Sequence, residues 1–276
     1  MRTGRQEPTY SVIGDYAYSY GSEVVEMFED EGGATFYPSQ KQELELMLAR
    51  NANGEPSALT IGISKPRQNG KSLLVQGRAD VGMLTRGENV IYTAHLQKTA
   101  TETFEEMASF FDSQALRKYV KDIKTALGRE QIILKSGARI KFLARTRNGG
   151  RGQHGDLLIF DEAQELDESA QASFIPAISA SLNPQTIYVG TPPDPEAAGT
   201  VFRNLRDRAL ANETKSAAWF EFSVPQIGDV TDRRRWAKTN PALGRRILET
   251  TIEGECEQMA PDMFARERLG WWAPVT

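Results

Sequence analysis

The stretch Lys65-Pro66-Arg67-Gln68-Asn69-Gly70-Lys71-Ser72 constrains this chain more than any other. An apolar run, Ala58 to Ile63, precedes it and reads as a buried strand. Leu73-Leu74-Val75 follows and reads as the start of a helix. A strand, a tight loop ending Gly-Lys-Ser and a helix form a P-loop, whose loop N–H groups and helix N-terminus point at phosphate oxygens. In that arrangement Lys71 reaches the β- and γ-phosphates and the Ser72 hydroxyl binds Mg²⁺. Pro66, Arg67, Gln68, Asn69, Gly70, Lys71, Ser72 and Leu73 therefore form the candidate ATP-binding segment. One position departs from the pattern G-x-x-x-x-G-K-[ST]. It puts glycine at position 65, where this chain carries Lys65.

A loop ending Gly-Lys-Ser gains weight when a second apolar run ends in acids. Leu157-Leu158-Ile159-Phe160 runs into Asp161-Glu162. Buried parallel strands read as continuous apolar runs, and ligands of such sheets sit at the strands' carboxyl ends. Asp161 is then placed for the Mg²⁺ shell, and Glu162 to polarise a water against the γ-phosphate. The bland reading, two solvated acids leaving the core, does not account for both motifs together.

With 276 residues, 39% of them apolar and 25% charged, the chain suits one large α/β domain with a small appendage. No apolar stretch approaches the roughly 20 residues that span a bilayer. The polar start, Met1 to Glu7, is unlike a secretory signal. A single cysteine, Cys256, excludes an internal disulfide and fits a reducing compartment. The net charge of −4 excludes an all-over basic coat, not a local basic patch. Two clusters are candidates: Arg145, Arg147 and Arg151 around Gly149-Gly150, and Arg233-Arg234-Arg235.

Strand and helix signals mostly alternate, which predicts a mainly parallel sheet covered on both faces. The pattern predicts strands near Asn89 to Ala94, Thr186 to Thr191 and Ala218 to Val224, and a hairpin over 131–134 and 139–144. Helices are predicted over 99–120, 168–181 and 199–210. Beyond Pro225 only helical segments follow, near 233–239, 248–259 and 261–269. Residues 1–35 read as a polar, Tyr-rich N-terminal extension, 36–225 as the P-loop ATPase domain, and 226–276 as a helical linker or lid subdomain.

Assembled, these residues resemble the N-terminal ATPase half of the large terminase subunit of tailed bacteriophages. That family tolerates a P-loop without the first glycine, with Arg and Gln inside it, as Arg67 and Gln68 stand here. Tyr37-Pro38-Ser39-Gln40 resembles its adenine-recognition motif. The run from Gly152 through Asp161-Glu162 to Glu165 resembles its Walker B region, and Gly190-Thr191-Pro192 its coupling motif. Asn240 to Gly244 and Phe264 to Gly270 resemble the linker subdomain of one terminase group.

The resemblance implies a RecA-like, ASCE-type motor that hydrolyses ATP to push double-stranded DNA into a procapsid in the host cytoplasm. Its partners would be the portal protein, the small terminase subunit and further copies in a ring, expected to be a pentamer. A helicase-type P-loop motor is the alternative. The family's nuclease domain would begin where this chain stops, so the chain is expected to lack it. Carried over by residue, Tyr37 and Gln40 would recognise adenine, and Arg67 would touch the γ-phosphate. Arg151 would act as an arginine finger across a subunit boundary, with Arg145 and Arg147 competing for the role. Thr191 would sense the γ-phosphate.

Overall fold

The computed structural model describes residues 2–31, 34–196 and 199–274. Residues 1, 32–33, 197–198 and 275–276 of the sequence-derived segments lie outside these. The strands are β1 (Tyr10–Val12), β2 (Tyr18–Ser19), β3 (Ala49–Arg50), β4 (Thr60–Ser64), β5 (Val90–Ala94), β6 (Val120–Lys124), β7 (Gln131–Leu134), β8 (Arg139–Ala144), β9 (Leu157–Phe160), β10 (Gln185–Gly190) and β11 (Ala217–Glu221). The helices are α1 (Gly21–Glu31), α2 (Pro38–Met47), α3 (Lys71–Arg86), α4 (Gln97–Phe111), α5 (Glu168–Phe174), α6 (Thr200–Leu210), α7 (Arg233–Thr239), α8 (Glu249–Gln258) and α9 (Pro261–Leu269).

Nine strands form one sheet in the order β1-β11-β4-β10-β9-β5-β8-β7-β6. The six from β11 to β8 are parallel, and β1, β7 and β6 add antiparallel edges. The central strands β4, β5, β9 and β10 are buried almost throughout, which is why they read as continuous apolar runs. Strand β10 lies between β4 and β9, so three strand ends converge on one point: the phosphate loop, Thr191 and the two acids. This is the RecA-like α/β arrangement expected from the sequence.

Two apolar layers flank the sheet. One gathers α1 to α4 against β4, β5, β7 and β8; the other packs α5 and α6 against β9 to β11. A third core, built from Trp236, Leu243, Ile252 and Phe264 among others, holds α7 to α9 together. Residues 2–31 are woven into this body. Val24 and Phe28 of α1 are buried in the first layer, and Phe28 stacks on Phe110 at 4.4 Å. Gly4 and Arg5 donate backbone hydrogen bonds to Leu243 and Ala237 of the helical tail, and β1 then pairs with β11. Among the described residues no helix is long and apolar enough to cross a membrane.

Two predicted helices end early. The helix predicted over 99–120 stops at Phe111; turns and a 3₁₀ segment over Arg117–Tyr119 follow, and Val120 already pairs with β7 as the start of edge strand β6. The helix predicted over 168–181 stops at Phe174 and continues only as a 3₁₀ turn over Ile175–Ile178. Pro176 has no N–H to continue the α-helical ladder.

Candidate functional site

Strand β4 delivers the chain into the loop 65–70, and α3 begins at Lys71. Gly70 holds φ +77°, and a Cβ there would sit 2.5 Å from Gln40 Nε2, so two constraints demand glycine. Gln68 also adopts a left-handed φ of 59°, local strain of the kind that collects at functional loops. The loop's departure at position 65 now has a physical reason. Lys65 is fully buried and points away from the loop, donating from Nζ to Glu43 Oε2 of α2 at 2.6 Å. Burial raises the Glu43 carboxyl, and the Lys65 charge opposes that. Removing one partner of such a pair leaves a buried lone charge, at a cost of about 3–5 kcal/mol.

Lys71 Nζ donates to the carbonyl oxygens of Lys65 and Pro66, both at 3.0 Å. Burial pushes its ammonium down to about 7, while the Asp161 carboxylate supports the charge. Ser72 is exposed beside it at the start of α3. Asp161 is fixed twice: Tyr92 Oη donates to its Oδ2 at 2.6 Å and the Glu162 N–H to its Oδ1 at 2.8 Å. Glu162 takes a left-handed φ of 50°, and its Oε2 accepts the His95 N–H at 3.1 Å. The strained turn aims a second carboxylate out of the strand end rather than back into the sheet. A hydroxyl and a carboxylate are the hard oxygen donors Mg²⁺ takes, the rest of its shell coming from water and phosphate.

The sequence-derived residues do not all face the phosphates with their side chains. Gln40 is buried; its Oε1 accepts the Tyr37 N–H at 2.8 Å and its Nε2 donates to Gly70 O at 2.9 Å. Its amide thus joins α2 to the loop. Asn69 turns away from the loop mouth and donates to Asn240 Oδ1 at 2.9 Å, while accepting from Ala242 N at 3.0 Å. Arg67 pairs with Glu267 at 2.5 Å. Thr191 is buried, its N–H donating to Gln164 Oε1 at 3.2 Å.

The three arginine candidates separate. Arg145 donates to the carbonyl oxygens of Asp161, at 2.5 Å, and Glu162, at 2.9 Å, and so braces the acidic strand end within its own subunit. Arg147 and Arg151 are exposed and line a different cleft, against Ser169, Ser173 and Pro176.

Several residues escaped sequence reading. A cleft of about 1200 Å³ runs from Gly70, Lys71, Ser72 and Leu73 past Tyr37 to Arg245 and Arg246 of the helical tail. The Arg245 guanidinium lies 5.9 Å from the Tyr37 ring centroid. Arg268 of α9 donates to Arg67 O at 2.9 Å and Gln68 Oε1 at 3.0 Å, and its other donors hold Glu255. Tyr92 read only as part of an apolar strand.

A family model described as "Terminase large subunit, T4likevirus-type, N-terminal" matches residues 63–243. No curated protein matches the chain by sequence. The large terminase of bacteriophage HK97 is similar in fold, with a TM-score of 0.79 at 20% identity, over 92% of this chain and 55% of that one. A large terminase from a thermophilic bacteriophage, solved in complex with ADP, matches with a TM-score of 0.56 at 14% identity, over 93% and 54%. The ATPase domain of the Thermus phage P74-26 large terminase matches with a TM-score of 0.56 at 14% identity, over 90% and 98%. The chain thus spans about half the length of the first two of these proteins.

Proposed function

We propose, for a chain that belongs to the terminase large-subunit family of T4likevirus type, that it hydrolyses ATP to drive double-stranded DNA into a procapsid. The observation that carries this reading is the convergence of Lys71 with Asp161 and Glu162 at the ends of two strands separated only by β10. That spacing brings the Lys71 ammonium and the Asp161 and Glu162 carboxylates around one point, the set a phosphate, its metal and an attacking water would need. Support comes from the thermophilic-phage large terminase of the same fold, solved both with ADP and with ATP-gamma-S.

In this reading ATP lies in the cleft between the loop and the helical tail. Tyr37 offers a ring face to the base, backed by Arg245. The loop N–H groups and Lys71 hold the phosphates, and Lys71 gives up its bonds to the carbonyls of Lys65 and Pro66 to do so. Ser72 and Asp161 would hold Mg²⁺, which supplies charge neutralisation on the phosphates when bound. Tyr92 keeps Asp161 oriented. Glu162 takes the proton of the attacking water, and Arg145 holds the backbone that aims it. Arg67, once released from Glu267, is within the loop to meet the γ-phosphate. Thr191 reports from the strand between the two motifs. Arg151, exposed and outside its own site, suits a finger offered to a neighbouring copy. Portal protein, small terminase subunit and a ring of copies are the partners this role requires, in the host cytoplasm.

Phosphate release, followed with and without Mg²⁺ and with and without duplex DNA, tests the reading. Mg²⁺-dependent turnover that rises with DNA supports it; nucleotide binding with no turnover under any of these conditions would overturn it.

A further inference from the structure

Among the described residues, one face of the sheet has no apolar layer at its β6–β8 end. Its first apolar layer covers β6, β7 and β8 through Val120, Ile132, Leu134, Ile140 and Phe142. The opposite layer reaches β8 only at Leu143 and, among the described residues, includes nothing from β6 or β7. Residues opposite each other in antiparallel strands share a face. Lys124 faces Gln131, which faces Lys141; one row along, Asp122 faces Ile133, which faces Arg139. The bare face therefore carries Lys124, Lys141 and Arg139 against the single acid Asp122.

The charge is concentrated here. From Asp112 to Lys141 eight Lys and Arg stand against three Asp and Glu, whereas the whole chain has 33 against 37. One of the three acids, Glu130, is turned inward, accepting from Gln97 and Thr101. Another, Asp112, is paired with Arg117. Among the described residues Lys121, Lys124, Lys135 and Arg139 form no ion pair with any carboxylate. The contrast with the other basic cluster is direct. Arg233 pairs with Glu249 and Glu253, Arg234 with Asp232, and Arg235 is held by the Gln226, Ile227 and Asp229 carbonyls. Those charges are already neutralised or engaged; on β6 to β8, Lys121, Lys124 and Arg139 have no carboxylate partner among the described residues, and Lys141 meets only a neutral amide. Lys141 bonds Gln153 at 2.9 Å, which continues the face into the loop that carries Arg147.

We propose that this bare face of β6, β7 and β8 is where the chain holds the phosphate backbone of double-stranded DNA. The inference rests on the motor reading above and adds the gripping surface. Adjacent strands lie about 4.8 Å apart, so Lys124 and Lys141, two strands apart, stand about 10 Å from each other. Arg139 and Lys141 are about 6.6 Å apart along β8. A cationic face of this size, with Ile133 the single apolar side chain in its two rows, suits sequence-independent contact with a polyanion. An edge strand also uses lysines to avoid pairing with other chains. That role explains Lys121 and Lys124 on β6 but not Arg139 and Lys141, which lie on the interior strand β8.

The test is anisotropy of a fluorescein-labelled DNA duplex across a salt series. The variants are Lys124→Ala/Arg139→Ala/Lys141→Ala and the milder Lys124→Gln/Lys141→Gln, with Arg234→Ala as control. The triple variant should bind at least about tenfold more weakly, and its log–log salt slope should fall by up to about 2.7, at about 0.9 per contact. DNA-free ATP turnover should stay at wild-type level, and Arg234→Ala should bind DNA normally. Unchanged affinity and slope in a variant that still turns over ATP would overturn the surface while leaving the motor reading intact. So would a change in assembled mass with DNA affinity unaltered, since the face would then dock an acidic surface of another copy. Aggregation with normal DNA affinity in the soluble fraction would reduce the face to an edge guard. A wild-type chain that turns over no ATP would instead sink the motor reading.

Discussion

Asn69 in the phosphate loop donates from Nδ2 to Oδ1 of Asn240, 2.9 Å away and 171 positions later in the chain. Both side chains are buried. Asn240 passes the connection on, donating to the carbonyls of Trp236, at 2.9 Å, and Arg268, at 2.7 Å. Arg268 returns to the loop through Arg67 O. The loop and the helical tail are therefore one hydrogen-bonded unit, and neither can move far without the other.

Asn69→Ala removes a buried donor and acceptor and leaves Ala242 N and Asn240 Oδ1 unpaired. It should lower stability by about 1–3 kcal/mol, read as a lower urea midpoint. Nucleotide affinity should fall with it, because the tail also supplies Arg245 and Arg246 to the cleft. An unchanged midpoint would show that the loop does not depend on the tail.

Lys71 sets a pH dependence. Burial pushes its ammonium down to about 7, so in the free protein it loses its proton above that pH. Bound phosphate favours the charged form, and binding above pH 7 therefore takes up a proton. ADP affinity should weaken by up to about tenfold per pH unit above 7. Calorimetry in two buffers of different ionisation enthalpy would detect the uptake, and Lys71→Met should abolish it. The same shift acts oppositely on folding: the unfolded chain holds more protons between pH 7 and the ordinary lysine range, so this group adds stability as pH rises there.

Asp80 works the other way. It is fully buried in α3, neither carboxylate oxygen has a hydrogen-bond partner, and burial raises it well above the ordinary value, the nearby Gln76 amide offsetting only part. The folded state therefore binds more protons than the unfolded one above about pH 4, and stability falls as pH rises towards the folded value. Asp80→Asn should raise the melting temperature at pH 8 and make little difference near pH 4. An equal shift at both pH values would contradict this.

How far the sequence could be read followed from what each residue depends on. The placement of Lys71, Ser72, Asp161 and Glu162 at neighbouring strand ends was legible because apolar runs end abruptly in polar chemistry, and a parallel sheet gathers its strand ends. The role of Lys65 was not: its partner, Glu43, lies on a helix with no sequence signal linking the two. Arg245, Arg246 and Tyr92 become visible only when the tail folds over the cleft and β5 lies beside β9. Val24 and Phe28 were hidden in a polar, Tyr-rich context that resembles a loose extension. The helix predicted over 99–120 ran too long: it ends at Phe111, and Val120 begins an edge strand whose pairing with β7 is a nonlocal contact.

Arg151 should act across a subunit boundary. Its exposure, and its place in a cleft away from Asp161, give it no role in its own site. Arg151→Ala keeps an intact nucleotide pocket, and Lys71→Ala keeps an intact finger. Mixed at assembling concentrations, the two should recover turnover that neither shows alone. A mixture that stays inactive while the wild type assembles and turns over would remove Arg151 from the role; Arg147, exposed on the same loop, would be next.

The most direct measurement compares Glu162→Gln with the wild type in ATP binding and in phosphate release on the same preparation. Glu162 stands at the strand end on a strained turn, with Asp161, the proposed metal ligand, beside it and Lys71, the proposed phosphate ligand, across β10. The variant keeps both of those neighbours and loses only the proposed base. It should bind ATP with wild-type affinity and release phosphate about 10²–10⁴-fold more slowly. Wild-type phosphate release in Glu162→Gln would contradict the account of this site.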